Sequence, residues 1–267
     1  MNLGEIKIKL IESGNFWSDG GAAMGVLPKT IWNKKVKTDN KNRIRLNLNL
    51  LLIRYKNQNI LIDTGIGNKL TEKEKKIYKP SNFSLLEKLQ NRGVNRTDVD
   101  YVILTHLHFD HAGGIVTNFN GNYELTFPNA EHLIQKDEWK IAKNPDILNK
   151  AAYNFKDNLS LLDKSPKLHL IDGDFKLKPG IRLIKTGGHT NGMQIVRIQK
   201  ENKLIYYPGD IISSKFHLIL PVTSAYDVSR YDTFVAKKQI INEVKKNNGS
   251  IILNHETGEK IVSADEI

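Results

Sequence analysis

Thr105-His106-Leu107-His108-Phe109-Asp110-His111 puts three imidazoles and a carboxylate within a six-residue span. In extended backbone alternate residues face the same way, so His106, His108 and Asp110 can converge on one point. A helix that begins at Asp110 would turn His111 toward the same centre. Neutral imidazole is the commonest metal ligand, and a histidine-rich polar loop formed by chance is the weaker explanation. The chain has no cysteine. That excludes thiolate ligands, disulfides and a cysteine nucleophile together. Imidazole and carboxylate remain, and they suit zinc, iron, manganese or cobalt.

The elements that must position these groups are legible from periodicity. Val102-Ile103-Leu104 reads as a short buried strand running into the motif, which Gly113-Gly114 closes. Upstream, residues 4–11 alternate like a strand. Residues 14–45 read as irregular, with Phe16, Trp17, Met24 and Trp32 exposed in appearance. Residues 46–55 and 59–63 form an expected hairpin, and Ser84 to Leu89 an expected helix. Downstream, 131–134 is an expected strand, and 135–163 two helical segments broken near Asn144-Pro145. Strands are expected at 168–171, 181–185, 194–199 and 203–207, then an amphipathic helix over 229–247. A last strand, Ile251-Ile252-Leu253, runs straight into His255. No linker or repeat divides the sequence, so residues 1–267 are read as a single domain of α+β class, two sheets covered by helices.

HLHFDH resembles the HxHxDH motif of the metallo-β-lactamase superfamily. Its other ligand positions can be sought in order. Thr186-Gly187-Gly188-His189-Thr190-Asn191-Gly192 resembles the second histidine loop, with glycine in place of that run's proline and Asn191 where proline is frequent. Tyr207-Pro208-Gly209-Asp210 resembles the segment whose aspartate bridges two metals, and Asn254-His255-Glu256 resembles the last histidine. Ile62-Asp63-Thr64-Gly65 is similar to the early Asp-Thr-Gly segment, with Asp63 read as orienting a ligand imidazole or, as a close rival, as a helix or turn cap. The resemblance implies a four-layer αβ/βα sandwich and two divalent metal ions, zinc first, with iron, manganese or cobalt as alternatives. His106, His108 and His189 would hold one ion and Asp110, His111 and His255 the other, with Asp210 between. The implied chemistry is hydrolysis of a lactone, an ester or a phosphoester by a hydroxide shared between the metals. Asp110 would both ligate and move a proton.

His132 and His169 lie in strand-like stretches and are read as structural. His217, seven residues past Asp210, is taken as a second catalytic candidate that hydrogen-bonds substrate, with a structural role as its equal rival. Within the superfamily the chain most resembles the lactonase and organophosphate-hydrolase branch, through Gly-Ala-Ala-Met-Gly-Val-Leu-Pro-Lys at 21–29 and the stretch from His217 to Tyr226-Asp227. In such relatives the N-terminal loop supplies apolar pocket walls and subunit contacts. Met24 and Trp32 would fit that use, a homodimer included. The alternatives are a hydroxyacylglutathione-type thioesterase, a nuclease, and a metal-binding scaffold without activity.

Composition narrows these classes. A formal charge of +11 invites a nucleic-acid partner, but 32 of the 40 basic residues are lysine, spread along the chain. Arginine is the side chain that forks onto phosphates and bases, so nucleic acid is not expected. No apolar run approaches the ~20 residues of a membrane span, and the N-terminal residues lack a signal peptide's apolar core. A cytoplasmic address and a small-molecule ester or lactone substrate are expected.

Overall fold

The computed structural model describes all residues, Met1–Ile267, and the chain divides into two compact units. The first comprises residues 1–14, 48–75 and 80–173, the second residues 15–47, 76–79 and 174–267.

The first unit is built on a sheet whose strand order is Asn2–Leu3, Ile6–Asp19, Arg43–Tyr55, Gln58–Ile62, Tyr101–Ile103, Glu131–Gln135 and Leu168–Ile171. Arg43–Tyr55 and Gln58–Ile62 form the expected hairpin, Leu51 opposite Ile62, across a turn in which Lys56 takes a positive φ of 53°. The next three strands pair in parallel. Parallel strands need covering on both faces, and Tyr101–Ile103 is accordingly short and apolar. Leu52, Leu61, Val102 and Ile134 pack with Leu85 and Leu89 of the helix Leu85–Gln90, with Trp139 of the helix Lys136–Lys143, and with Phe127. Each such aliphatic side chain contributes about 1.5–3 kcal/mol by leaving water.

The second unit carries a sheet ordered Phe175–Lys178, Ile181–Lys185, Gln194–Lys200, Lys203–Tyr207, Ser250–Ile252 and Ile261–Ser263. Only Lys203–Tyr207 and Ser250–Ile252 pair in parallel. Their crossover contains the helix Arg230–Lys246, which Ser229 caps by accepting from the Asp232 amide. Ile240, Ile241 and Val244 of this helix pack on Ile195, Leu204, Tyr206 and Ile251. Both units therefore fit the α+β class.

Residues 14–45 depart from the expectation. The strand Ile6–Asp19 runs on through Gly14, and two short helices, Gly20–Met24 and Lys29–Trp32, follow. Met24 and Trp32 are 3% and 1% exposed and pack with Ala23 and Ile44. They are core of the second unit, because burying their area outweighs presenting it to solvent. No helix is long and apolar enough to cross a membrane.

Candidate functional site

In the first unit the strand ends at Ile103, the chain bends at Thr105, and His108, extended at φ −60° and ψ 152°, precedes the single helical turn Phe109–Ala112. Asp110 lies inside that helical turn, one residue past its start, not at the end of an extended run. His106, His108, Asp110 and His111 are all buried. The donor atom of His106 lies within 4.8 Å of those of His108 and His111, and His111 Nε2 is 3.6 Å from Asp110 Oδ2.

Asp63, fully buried, organises this cluster from the end of the strand Gln58–Ile62. Its Oδ2 accepts from His111 Nδ1 at 2.9 Å, and its Oδ1 accepts from the Thr105 amide at 2.8 Å. The Thr105 hydroxyl donates to the same carboxylate at 2.9 Å. Having spent its one proton there, that oxygen accepts from His106 Nδ1 at 3.1 Å. Both imidazoles thus carry their proton on Nδ1, leaving Nε2 with a lone pair.

The backbone behind the motif allows this approach only because it is glycine. A Cβ at Gly67 would lie 2.2 Å from the Gly113 carbonyl oxygen, and one at Gly114 2.2 Å from that of Thr64. The Asp63–Gly67 loop therefore packs main chain against main chain on the segment that carries His111, with Thr64 Oγ1 donating to the His111 carbonyl at 2.8 Å.

In the second unit, the loop after Ile181–Lys185 presents His189, the turn after Lys203–Tyr207 presents Asp210, and His255 follows Ser250–Ile252. All three sit past the ends of strands of one sheet, and the strands before Asp210 and His255 are neighbours. Asp210 lies between the two imidazoles: Oδ2 is 3.4 Å from His189 Nε2 and Oδ1 is 3.2 Å from His255 Nε2. Asn254 Nδ2 donates to Asp210 Oδ1 at 2.5 Å. His189 Nδ1 donates to Asp227 Oδ1 at 2.7 Å, and His255 Nδ1 donates to the Asn47 carbonyl at 2.8 Å. A carbonyl oxygen only accepts, so the proton is on Nδ1 and the lone pair on Nε2.

These tautomers make the geometry informative. At His189–Asp210, His255–Asp210 and His111–Asp110, an imidazole lone pair faces a carboxylate oxygen, acceptor against acceptor. Each such contact calls for a cation between or beside the pair. The donors, imidazole nitrogen and carboxylate oxygen with the imidazoles anchored through Nδ1, fit divalent transition metals.

His217 is placed differently. It is buried; its Nδ1 accepts from Ser214 Oγ at 2.8 Å and its Nε2 donates to the Ala23 carbonyl at 3.1 Å. Burial pushes its pKa down to about 4. Nδ1 is held within the 213–217 turn and Nε2 ties that turn to the helix Gly20–Met24, so a hydrogen bond to substrate would require surrendering one of these contacts. His132 is likewise buried, its Nδ1 donating to the Ala130 carbonyl at 2.9 Å, with its pKa pushed down to about 4 by burial. His169 is on the strand Leu168–Ile171, exposed.

In the sequence Asp227 reads equally as a helix entry or a pocket border, and nothing there marks Asn47 or Glu138 as partners. Asp227 and Asn47 hold His189 and His255 from 38 and 208 residues away. Nothing in local spacing signals either.

The family described as the metallo-beta-lactamase superfamily matches residues 44–117. A solved structure of a probable metal-dependent hydrolase from Staphylococcus aureus is 31% identical, covers 100% of this chain and 96% of its own, and superposes with a TM-score of 0.92. The chain belongs to the metallo-β-lactamase superfamily. Within the superfamily, an N-acyl homoserine lactonase of a Bacillus sp. is 33% identical over 115 residues, 42% of this chain. The match spans 38% of that lactonase, well under half its length. A dizinc quorum-quenching lactonase solved with its product N-hexanoyl-L-homoserine shares the superfamily fold at a TM-score of 0.75 and 23% identity, covering 98% of this chain and 91% of its own.

Proposed function

We propose that the chain is a metal-dependent hydrolase that opens lactones, and that His106, His108, Asp110, His111, His189, Asp210 and His255 together hold two divalent ions. The observation that carries this reading is the carboxylate of Asp210, whose two oxygens face the lone pairs of two different histidines. One carboxylate shared in this way suits two cations better than one. Zinc is the first choice, and the same donors accept iron, manganese or cobalt. The N-acyl homoserine lactonase and the dizinc lactonase named above support lactones as the substrate class.

Bound there, the ions would supply Lewis acidity toward a lactone carbonyl and an activated water. The residues do the rest. Thr105, Asp63, Asp227 and the Asn47 carbonyl keep His106, His111, His189 and His255 in the tautomer that leaves Nε2 available. Asp110, 7% exposed, carries a proton toward the departing alkoxide, and a serine or cysteine nucleophile is not needed. Aryl esters and phosphotriesters present a similar polarised centre and are proposed as side substrates.

Metal analysis of the purified protein, with a screen of N-acyl homoserine lactones, aryl esters, phosphotriesters and a glutathione thioester, tests the reading. About two ions per chain with turnover of a lactone is the expected result. Turnover of the thioester alone would replace lactonase by thioesterase, and one ion with Asp110 and His255 uncoordinated would defeat the binuclear site.

A further inference from the structure

The Leu104 N–H still donates to the Leu133 carbonyl of the strand Glu131–Gln135, at 3.2 Å, and past it the segment that carries His106 and His108 leaves the sheet. Leu107 faces away from His106 and His108 and is 1% exposed in the apolar core. Its N–H donates at 2.9 Å to Glu138 Oε1, so a side-chain oxygen takes the place of a strand carbonyl. Glu138 is itself 1% exposed and lies in the first turn of the helix Lys136–Lys143, where the helix end favours an anion. The same oxygen accepts from the Tyr153 hydroxyl, also at 2.9 Å. The Tyr153 ring stands edge-on to the His108 ring, centroids 5.0 Å apart at 72°. Next to it, the Ala152 carbonyl accepts from the Phe109 amide at 2.9 Å. His108 is thus bracketed on its own main chain at Leu107 and Phe109 and on its ring by Tyr153.

We propose that Glu138 is a positioning residue for His108, acting through the one oxygen on which Leu107 N–H and Tyr153 O–H converge. The proposal rests on the metal-site reading for its consequence, but not for its geometry. A carboxylate is costly to bury. What it supplies is an acceptor at a fixed point, which orients the backbone before His108 and the aromatic wall beside its ring.

On this proposal the acceptor oxygen is what positions His108. Glu138→Gln, whose amide oxygen can take both donors, should keep wild-type zinc affinity in competition with a chromophoric chelator. Glu138→Ala should weaken zinc binding 10–100-fold, the usual effect of removing a partner behind a ligand. Tyr153→Phe, which leaves no cavity and folds readily, should weaken it to a lesser degree. In the metal-free proteins, the His108 ring signals in nitrogen-15 NMR should move in Glu138→Ala and Tyr153→Phe and stay in place in Glu138→Gln. Cobalt-substituted protein should report the same order through its visible absorption bands. Glu138→Gln as damaging as Glu138→Ala would overturn the proposal, and so would unmoved His108 signals in Tyr153→Phe. Wild-type protein that binds no metal would defeat the proposed function alone, since the metal-free ring signals still report whether Glu138 holds His108.

Discussion

Asp227 Oδ1 sits 2.7 Å from His189 Nδ1, and its other oxygen accepts from the Ser224 amide at 3.2 Å. One carboxylate thereby fixes both a turn and the direction in which an imidazole offers its lone pair. Asp227→Ala should weaken metal binding 10–100-fold. Asp227→Asn, which keeps an acceptor, should lose less. Chelator competition on the three proteins checks this, and equal affinity in all of them would remove Asp227 from the site.

Asp210 and Asp63 should separate cleanly. Losing the shared carboxylate, Asp210→Ala should release at least one ion and most lactone turnover. Asp63→Ala strips acceptors from buried Thr105 and His111. Each orphaned donor costs about 1–3 kcal/mol, so this variant should lose mainly stability. Its metal content should fall less than that of Asp210→Ala. Thermal melting and metal analysis of both variants decide the ranking, and the reverse order of metal loss would refute it.

Acid should destabilise the metal-free protein through His132 and His217. Burial, the largest cause in both, lowers each pKa from 6.5 to about 4. The unfolded chain takes up these protons below about pH 6.5, whereas the folded chain resists until about pH 4. Stability should therefore fall as pH drops through that window and level off beneath it, by roughly 3 kcal/mol per group at most. Urea melts between pH 4 and 7 should show a shallower slope in His132→Asn and again in His217→Asn. The second variant should also turn over lactone at a near-normal rate, and a fall of about a hundredfold or more would instead mark an oxyanion contact.

Chelation should abolish turnover and leave the fold. The cores around Val102 and around Ile240 are apolar and complete without the donor residues. Far-ultraviolet circular dichroism should stay unchanged, the melting temperature should drop, and zinc should restore both melting temperature and rate. Wholesale unfolding on chelation would refute this.

The proposed ligand residues are legible in the sequence because their signal is local. HxHxDH is a period-two pattern closed by a helical turn, and His189, Asp210 and His255 each follow a strand whose alternation or apolar run is plain. Their partners were hidden because proximity in the fold, not spacing in the chain, gives them meaning. Glu138 reads as an ordinary helix residue until Leu107 N–H is found pointing at it. The hairpin Val116–Phe119 with Asn122–Leu125 was passed over although Asn120-Gly121 announces it, both with positive φ. Its second strand, Asn-Tyr-Glu-Leu, is largely exposed and carries no apolar alternation. The division into two units was equally hidden, since residues 15–47 belong with 174–267 and not with their neighbours in sequence.

The anchors behind the histidines differ in kind. His111 and His189 lean on carboxylates, which a single codon can change to an amide or remove. His255 leans on the main-chain oxygen of Asn47, while the Asn47 amide donates back to the His255 carbonyl at 3.2 Å. No side-chain substitution deletes that acceptor. Selection or engineering for a different metal or a different rate can therefore work on two of the anchors by point mutation, whereas the third changes only if the strand that carries residue 47 is rebuilt.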